Sequence, residues 1–297
     1  MIIFTSSFRN PFLNLSFEDY FLRSGRNETI LFFYVNRPSV VLGRFQNPWL
    51  ETNLTYLASN DIWVVRRQSG GGCVFHDEGN LNFSFIIPEG MIDRKKHAEL
   101  LKEAFQKAGI ELMISPRNDL WLSDTDGVSK KISGSAYKQT KTTSFHHGTF
   151  LVSSDLENLE ESLKHTIIPK NSKSIPSVRS KVMTLKSKYP GIEIKDVIDL
   201  ISHYFKTVPL ELDGTLLSHP MVQESFNKHV SWEWLWGETP YFELETPQGM
   251  MAVRKGVLEG VNQRFERRSL ENILQESELD RLFPDFSEQH RSSSQIW

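Results

Sequence analysis

The sequence predicts an α+β fold in which a mixed or antiparallel sheet carries helices on one side. Short segments rich in Ile, Val and Phe alternate with segments whose apolar residues recur at helical spacing. Their order does not follow a strict strand–helix–strand repeat, which argues against a purely parallel sheet. The chain has 297 residues, enough for one large and one small domain at roughly 100 to 200 residues per domain.

Strands are predicted where β-branched and aromatic residues cluster in the first third of the chain. Residues 30–35 and 39–42 have this composition and are separated by an Asn-Arg-Pro turn, which predicts two adjacent strands. Residues 63–66 and 74–75 are shorter candidates on either side of a run of glycines. In residues 81–87, large apolar side chains recur at every second position, which predicts a half-buried strand.

Three helices are predicted from apolar stripes and their end signals. Asp93 can cap a helix that ends at Gly109, and Asp155 can cap a second, shorter one. Residues 194–205 place Ile, Val and Phe on one face of a third helix. We interpret all three stripes as core-facing surfaces.

The domain boundary is predicted where this pattern weakens, between residues 206 and 230. Pro209, Gly214 and Pro220 interrupt the periodicity there, so we expect a large domain at 1–225 and a small one at 231–297. The small domain is predicted to contain strands at 251–253 and 256–261 and a helix at 270–283.

Composition excludes several classes of protein. A net charge of −3 indicates no basic surface, so nucleic acid is not an expected partner. No stretch approaches the roughly 18 apolar residues of a membrane span, and the N-terminus has no signal-peptide or transit-peptide pattern. A single cysteine, Cys73, excludes an intrachain disulfide and fits a reducing compartment. We expect a cytoplasmic protein without membrane contacts.

The most informative stretch is the run that separates residues 63–66 from residues 74–75. It reads Arg66-Arg67-Gln68-Ser69-Gly70-Gly71-Gly72-Cys73-Val74-Phe75-His76-Asp77-Glu78-Gly79-Asn80. Three glycines let backbone N–H groups approach a ligand closely, and clustered N–H groups with neighbouring arginines form an anion site. A plain surface hairpin is the alternative, but the flanking arginines, histidine and aspartate favour anion or nucleotide binding. The spacing matches neither a P-loop nor a dinucleotide fingerprint.

This stretch resembles the signature of the lipoate–protein ligase family. Further stretches agree with that family in the same order: 43–49, 117–120, Lys131-Ile132-Ser133-Gly134-Ser135-Ala136, His146-His147-Gly148-Thr149, 177–180 and Ser231-Trp232-Glu233-Trp234. The similarity runs from about residue 8 to about residue 262. The chain is identified as a member of the family on these motifs.

The resemblance implies a biotin/lipoyl ligase-like catalytic domain followed by a small α+β accessory domain. It also implies a two-step reaction with ATP and Mg²⁺, in which lipoate becomes lipoyl-AMP and a carrier-domain lysine accepts the lipoyl group. The implied partners are lipoyl carrier domains of 2-oxoacid dehydrogenase complexes and the glycine cleavage H protein. The C-terminal region looks shorter than in typical bacterial members.

The same resemblance assigns roles to individual residues. Lys131 is the expected catalytic residue, in contact with the lipoate carboxylate and the α-phosphate, whereas Lys130 lies one residue out of register on a strand. The ATP or adenylate group is expected to contact Arg67, Gly70, Gly71, Gly72, Cys73, Val74, Phe75, Asn80, Asp119, Lys131 and His147. Lipoate is expected to contact Arg67, Ser69, Gly72, His76, Lys131 and Gly134. Asp119 is the candidate Mg²⁺ ligand.

Neither Cys73 nor the histidines are assigned a catalytic role. Cys73 stands where the family often has a small residue, and we interpret it as a spectator rather than a nucleophile. His76 is expected to brace the loop through Asp77, and adjacent His146 and His147 should point to opposite faces of a strand. No histidine pair has zinc-ligand spacing with cysteines, so no zinc site is expected.

Two alternatives to the ligase remain open. A lipoyltransferase would keep the fold but use preformed lipoyl-adenylate, and a non-catalytic lipoate- or nucleotide-binding paralogue would lose the chemistry. The intact Arg67, glycine run and Lys131 argue against the paralogue. Biotin ligation is disfavoured because that branch uses a different arginine–glycine loop.

Overall fold

The computed structural model describes residues 1–88, 93–164, 169–212, 214–246, 249–259 and 268–269. The strands are β1 Ile2–Thr5, β2 Ile30–Tyr34, β3 Ser39–Leu42, β4 Trp63–Arg66, β5 Val74–His76, β6 Asn80–Pro88, β7 Met113–Ile114, β8 Leu120–Ser123, β9 Ser129–Ser133, β10 Ser135–Gln139, β11 Thr143–Leu151, β12 Leu210–Glu211, β13 Phe242–Thr246, β14 Gly249–Arg254, β15 Val257–Glu259 and β16 Arg268–Ser269. The helices are α1 Pro11–Arg23, α2 Pro48–Glu51, α3 Leu54–Ser59, α4 Arg94–Lys107, α5 Leu156–Ser162, α6 Ile194–Tyr204 and α7 Pro220–Val230, with a 3₁₀ turn at Gly214–Ser218 and a π turn at Glu233–Gly237.

These strands form mixed and antiparallel sheets, as predicted. The largest sheet has six strands in the order β10-β11-β6-β2-β1-β12, with β1 parallel to both of its neighbours. Two three-stranded sheets, β4-β3-β5 and β7-β8-β9, stand beside it, and β13 to β16 form a four-stranded sheet. Residues 30–35 and 39–42 do form strands, but the prediction that they are adjacent is wrong. β2 pairs with β1 and β6, whereas β3 pairs with β4 and β5.

Helices cover both faces of the six-stranded sheet, where the sequence predicted one. Alternate residues of β2 point to opposite faces: Leu31 and Phe33 join a core with α4 and α6, while Ile30 and Phe32 join a core with α1 and α7. The predicted helices α4, α5 and α6 are present, with Asp93 and Asp155 as N-caps of the first two. Helices α1 and α7 were not predicted.

The C-terminal region shares a core with the sheet that carries the glycine run. Apolar residues of β3, β4 and β5 pack in one cluster with residues from 230 to 253, among them Trp236 and Phe242. The predicted strands at 251–253 and 256–261 correspond to β14 and β15, and the predicted helix at 270–283 lies outside the described residues. The domain boundary stays a prediction, and helix α7 occupies the interval where the pattern weakened. No helix in the described ranges is long and apolar enough to cross a membrane.

Candidate functional site

The glycine run connects two strands that are not neighbours. β3 lies between β4 and β5, so the segment 67–73, which we call the glycine loop, crosses the end of β3. Gly71 has a φ of +88°, a conformation that glycine adopts without strain. A Cβ on Gly43 would lie 2.1 Å from the Gly71 carbonyl oxygen. The glycine loop therefore packs directly on the backbone that follows β3.

The Arg67 guanidinium holds this loop from inside. It is buried and donates hydrogen bonds to the carbonyls of Gly70 and Gly72, both at 2.7 Å. It also donates to the Val41 carbonyl and to Ser69 Oγ, both at 2.9 Å. Burial lowers the pKa of Arg67 to about 10, which still leaves it a cation at neutral pH. Arg67 thus fixes the shape of the loop and places a positive charge behind it.

A chain of buried hydrogen bonds continues from Ser69. The Ser69 hydroxyl lies 2.7 Å from His147 Nε2, and His147 Nδ1 lies 3.0 Å from the Glu18 carboxylate. The Ser69 hydroxyl accepts from Arg67 Nε and also hydrogen bonds with Nε2, and His147 Nδ1–H faces the Glu18 carboxylate, which accepts. Tyr34 also donates to Glu18, at 3.2 Å, and burial together with that carboxylate raises the tyrosine pKa. This arrangement fixes the orientation of the His147 ring.

A cavity of about 600 Å³, the first cavity, opens in front of the glycine loop. Leu15, Tyr34 and Val41 supply apolar surface to its wall, and Lys131 and Asp119 also line it. Cationic groups together with apolar surface suit a ligand that has an anionic end and a hydrocarbon end. Further predicted residues along the wall are Arg67, Gly70, Gly71, Gly72, Cys73, Val74, His76, Gly134 and His147.

Lys131 and Lys130 occupy different surroundings on β9. The Lys131 ammonium lies 3.0 Å from Asp119, and the Lys130 ammonium lies 3.0 Å from Asp124. The Lys131 backbone is also fixed, because its N–H donates to the Lys181 carbonyl at 2.9 Å. Only Lys131 of the two lines the first cavity.

Ser177 closes one side of the glycine loop. Its hydroxyl accepts from the Cys73 N–H at 2.8 Å and from Gln46 Nε2 at 2.9 Å. Its own N–H donates to the buried Glu51 carboxylate at 3.1 Å. A second cavity, of about 520 Å³, lies beyond this contact and shares Lys131 and Cys73 with the first. Cys73, Lys131 and Ser177 therefore line both cavities.

Comparison with known proteins identifies the family. The family model "Lipoyl protein ligase A/B catalytic domain" matches residues 10–206. A lipoate-protein ligase A from Psychrobacter cryohalolentis is 36% identical over 253 residues, which span 81% of this chain and 73% of that protein. The chain belongs to the lipoate–protein ligase family.

Solved structures agree with this membership. A crystal structure of a lipoate-protein ligase A bound with ATP has a TM-score of 0.63 at 25% identity, over 78% of this chain and 97% of that one. Plasmodium falciparum LipL1 in complex with lipoate has a TM-score of 0.69 at 23% identity, over 86% of this chain and 82% of that one, a likeness in fold. The predicted family, the ligase class and the biotin/lipoate ligase-like fold are confirmed.

Three of the residues assigned through the family lie away from the first cavity. Phe75 lines the second cavity and Ser69 is a buried residue of the glycine loop. Asn80 is also buried, and its amide nitrogen donates to Asn82 Oδ1 at 3.2 Å. Asn82, not Asn80, lines the first cavity. The ligand roles of these residues remain predictions.

His76 does not brace the loop through Asp77, contrary to expectation. Its Nδ1 lies 3.0 Å from the Asn36 amide, while Asp77 accepts from the backbone of Gly79 and Asp155. Burial lowers the pKa of His76 to about 3, so the ring is neutral. His146 and His147 do point to opposite faces, as predicted: His146 contacts His97, and His147 contacts Glu18.

The sequence analysis did not identify Glu18 and Tyr34, which contact His147 or line the first cavity, or the contact of Ser177 with the glycine loop. Glu18 lies in a helix that is buried on all sides, and an acid there needs a buried partner. The acidic pair Glu18-Asp19 between aromatic residues was therefore a usable signal. No group of three potential metal-ligating His, Cys, Asp or Glu side chains occurs among the residues described.

Proposed function

We propose that the protein is an ATP-dependent lipoate–protein ligase that forms lipoyl-AMP and then lipoylates a lysine of a carrier domain. The observation that supports this most strongly is the position of Lys131. Its ammonium lines the first cavity, faces a carboxylate, and is held on a strand next to the glycine loop. A compact cation at this point can neutralise both reacting anions, the lipoate carboxylate and the α-phosphate.

In the first step the lipoate carboxylate oxygen attacks the α-phosphorus of ATP. A new O–P bond forms, the bond to the bridging oxygen breaks, and pyrophosphate leaves with the bonding electrons. Arg67 would supply positive charge behind the loop, and the N–H groups of Gly70, Gly71 and Gly72 would bind phosphate oxygens, since the Cys73 N–H already donates to Ser177. Leu15, Tyr34 and Val41 would surround the hydrocarbon chain. Catalysis then comes from positioning and charge neutralisation.

Mg²⁺ would bind through Asp119 and the phosphate oxygens. Magnesium sites in nucleotide enzymes commonly use one or two protein carboxylates with substrate phosphates, so a single carboxylate beside the cavity fits. When bound, the ion would neutralise phosphate charge. Asp119 is held next to the cavity by a short turn, since its N–H donates to Ser115 Oγ at 3.1 Å.

In the second step the ε-amine of a carrier lysine attacks the carbonyl carbon of the mixed anhydride. The amide bond forms, AMP leaves, and the amine proton passes to solvent. Three residues that line the first cavity also expose large apolar side chains: Phe45 at 58%, Ile175 at 76% and Val178 at 67%. Exposed apolar groups beside a site suit contact with another protein. We propose carrier domains of 2-oxoacid dehydrogenase complexes and the glycine cleavage H protein as these partners, in the cytoplasm.

Pyrophosphate release from the purified protein tests this proposal. With ATP, Mg²⁺ and lipoate but no carrier, we expect release and a bound lipoyl-AMP, and with carrier we expect an amide-linked lipoyl group. A lipoyltransferase would release no pyrophosphate and would modify the carrier only when given lipoyl-adenylate. A binding paralogue would do neither. Reactions without lipoate, or with octanoate in its place, measure background hydrolysis and acyl specificity.

A further inference from the structure

Arg66, the residue before Arg67, is fully buried and hydrogen bonds uncharged acceptors. Its Nε and Nη2 donate to the Leu235 carbonyl at 2.9 and 2.7 Å, and Nη2 also donates to Thr239 Oγ1 at 3.1 Å. Its Nη1 donates to three carbonyls of the segment after β3, those of Gly43, Arg44 and Gln46. A buried cation is costly unless its hydrogen bonds are satisfied, so these partners are tightly constrained.

The backbone of Arg66 is bound by the same C-terminal segment. Trp234 is buried, and its indole N–H donates to the Arg66 carbonyl at 2.7 Å. The Lys228 ammonium lies 3.9 Å from the centre of the Trp234 ring, and the Arg44 guanidinium lies 5.4 Å from it. Residues 233–239, which we call the C-terminal turn, therefore hold both the side chain and the main chain of Arg66.

This contact leads directly to the glycine loop. β4 ends at Arg66, and the next residue, Arg67, holds the carbonyls of Gly70 and Gly72. The Arg44 N–H also donates to the Ser69 carbonyl at 2.9 Å, so the segment that Arg66 binds is itself bonded to the loop. A shift of the C-terminal turn would therefore move Arg66, which precedes the glycine loop, and also the segment after β3, which is hydrogen bonded to that loop.

We propose that Arg66 is a positioning residue for adenylate formation, and that the Trp234 contact transmits the placement of the C-terminal turn to the glycine loop. This inference rests on the proposed function. The C-terminal turn then supports the glycine loop through Arg66 and does not itself contact a substrate. Loss of the contact is expected to loosen the loop before ATP binds and so to raise KM for ATP.

The test compares two tryptophans of one motif. Trp234→Phe keeps an aromatic ring and removes the N–H donor, and Thr239→Val removes one acceptor of Arg66. Trp232→Phe is the matched control, because the Trp232 ring packs beside Gly237 and Gly256 and none of the hydrogen bonds to Arg66 described above comes from it. We expect KM for ATP in pyrophosphate release to rise roughly 3- to 10-fold in Trp234→Phe, the size of one lost hydrogen bond, and less in Thr239→Val. Trp232→Phe should keep the wild-type KM.

Hydrogen exchange of the substrate-free protein separates this inference from the proposed function. Amides of residues 69–73 should exchange faster in Trp234→Phe than in the wild type or in Trp232→Phe. If both tryptophan variants lower Tm alike while KM and loop exchange stay at wild-type values, the contact is merely structural and the inference is wrong. If the wild-type protein forms no adenylate, the proposed function fails, and the exchange rates alone decide whether Trp234 controls the loop.

Discussion

The Lys131 ammonium and the Asp119 carboxylate are 3.0 Å apart, although they lie twelve residues apart in the chain. Lys131 lies in β9 and Asp119 directly precedes β8, and the pairing of these strands shifts register between Leu120 and Trp121. A bulge of this kind changes the direction in which a side chain points. If Lys131 binds the lipoate carboxylate, as proposed, that carboxylate competes with Asp119 for the ammonium.

Lys131→Ala should abolish both half-reactions, whereas Lys130→Ala should change little. Only Lys131 lines the first cavity, and Lys130 is paired with Asp124. Loss of a charged contact to the transition state commonly lowers a rate by about 10²- to 10³-fold. Pyrophosphate release and transfer from supplied lipoyl-adenylate measure the two steps. A more damaging effect of Lys130→Ala would show that the strand register and the site assignment are wrong.

Asp119→Asn is expected to move binding and catalysis in opposite directions. Removal of the competing carboxylate should tighten lipoate binding without nucleotide by about two- to five-fold, the size expected for a partly exposed ion pair. Pyrophosphate release should fall if Asp119 shares Mg²⁺ with the phosphates, and higher Mg²⁺ should restore part of it. Calorimetry with lipoate and a Mg²⁺ titration of the rate measure the two effects.

Asp124→Asn is the control for that experiment, since it removes the corresponding partner of Lys130. It should leave lipoate affinity and the Mg²⁺ dependence unchanged. Weaker lipoate binding in Asp119→Asn would contradict competition between the two carboxylates for Lys131.

Cys73→Ala should retain most of the activity. The thiol is buried, and burial raises its pKa, so it carries little thiolate at neutral pH and is a poor nucleophile. The hydrogen bond that residue 73 makes to Ser177 comes from its backbone N–H, which alanine keeps. Detection of a stable acyl thioester on Cys73 by mass spectrometry would overturn this view and the adenylate mechanism with it.

Local patterns located the strands around the glycine run and three of the helices but could not assign partners to strands. Residues 30–35 and 39–42 were recognised as strands, yet the intervening Asn36 bonds to Asn14 and to His76, which come from other segments. Those contacts lead the chain from one sheet to another. Because they join residues distant in sequence, composition at residues 36–38 does not reveal them.

Four helices, α1, α2, α3 and α7, were not predicted, and two of them, α1 and α7, were missed for clear physical reasons. α1 is buried on nearly every side and so lacks a polar face, which removes the periodic signal. α7 begins with Pro220, which we interpreted as a breaker, although proline is favourable at the first position of a helix. The two helices are joined by a buried hydrogen bond, in which Asp19 of α1 accepts from His229 of α7 at 2.8 Å.

The candidate site was predictable as a list of positions and not as a geometry. Motifs located the glycine loop and Lys131, and the structure brings them to one cavity. The sequence could not show that Arg67 hydrogen bonds carbonyls of its own loop, or that Arg66 hydrogen bonds those of Leu235 and the segment after β3, because these acceptors are backbone atoms placed by the fold. The Glu18–His147 pair joins α1 to β11, so its two members are far apart in sequence.

Stability should decrease below neutral pH because of the buried pair His97 and His146. Their Nδ1 atoms lie 3.1 Å apart, and burial lowers the pKa of His97 to about 4 and that of His146 to about 3. Both are therefore neutral in the folded protein at pH 5, while in the unfolded chain they titrate near the ordinary histidine pKa of 6.5. The unfolded state then binds more protons, so the free energy of unfolding falls as pH drops from about 6.5 towards about 4, by about 1.4 kcal/mol per pH unit for each histidine.

His97→Gln tests this pair because glutamine stays uncharged over the same range. Urea unfolding at pH 7, 6 and 5 should show a shallower loss of stability in His97→Gln, by up to about 1.4 kcal/mol between pH 6 and 5. His203 is exposed on α6, and His203→Gln should keep the wild-type pH dependence. If stability falls equally steeply with pH in the two variants, His97 is protonated in the folded state. Two features disfavour that state: the ring of Phe85 stacks on His97 with the ring centroids 4.5 Å apart, and the neighbouring His146 is buried. The slope that remains in His97→Gln is expected from His146 and from His76, whose pKa burial also lowers to about 3.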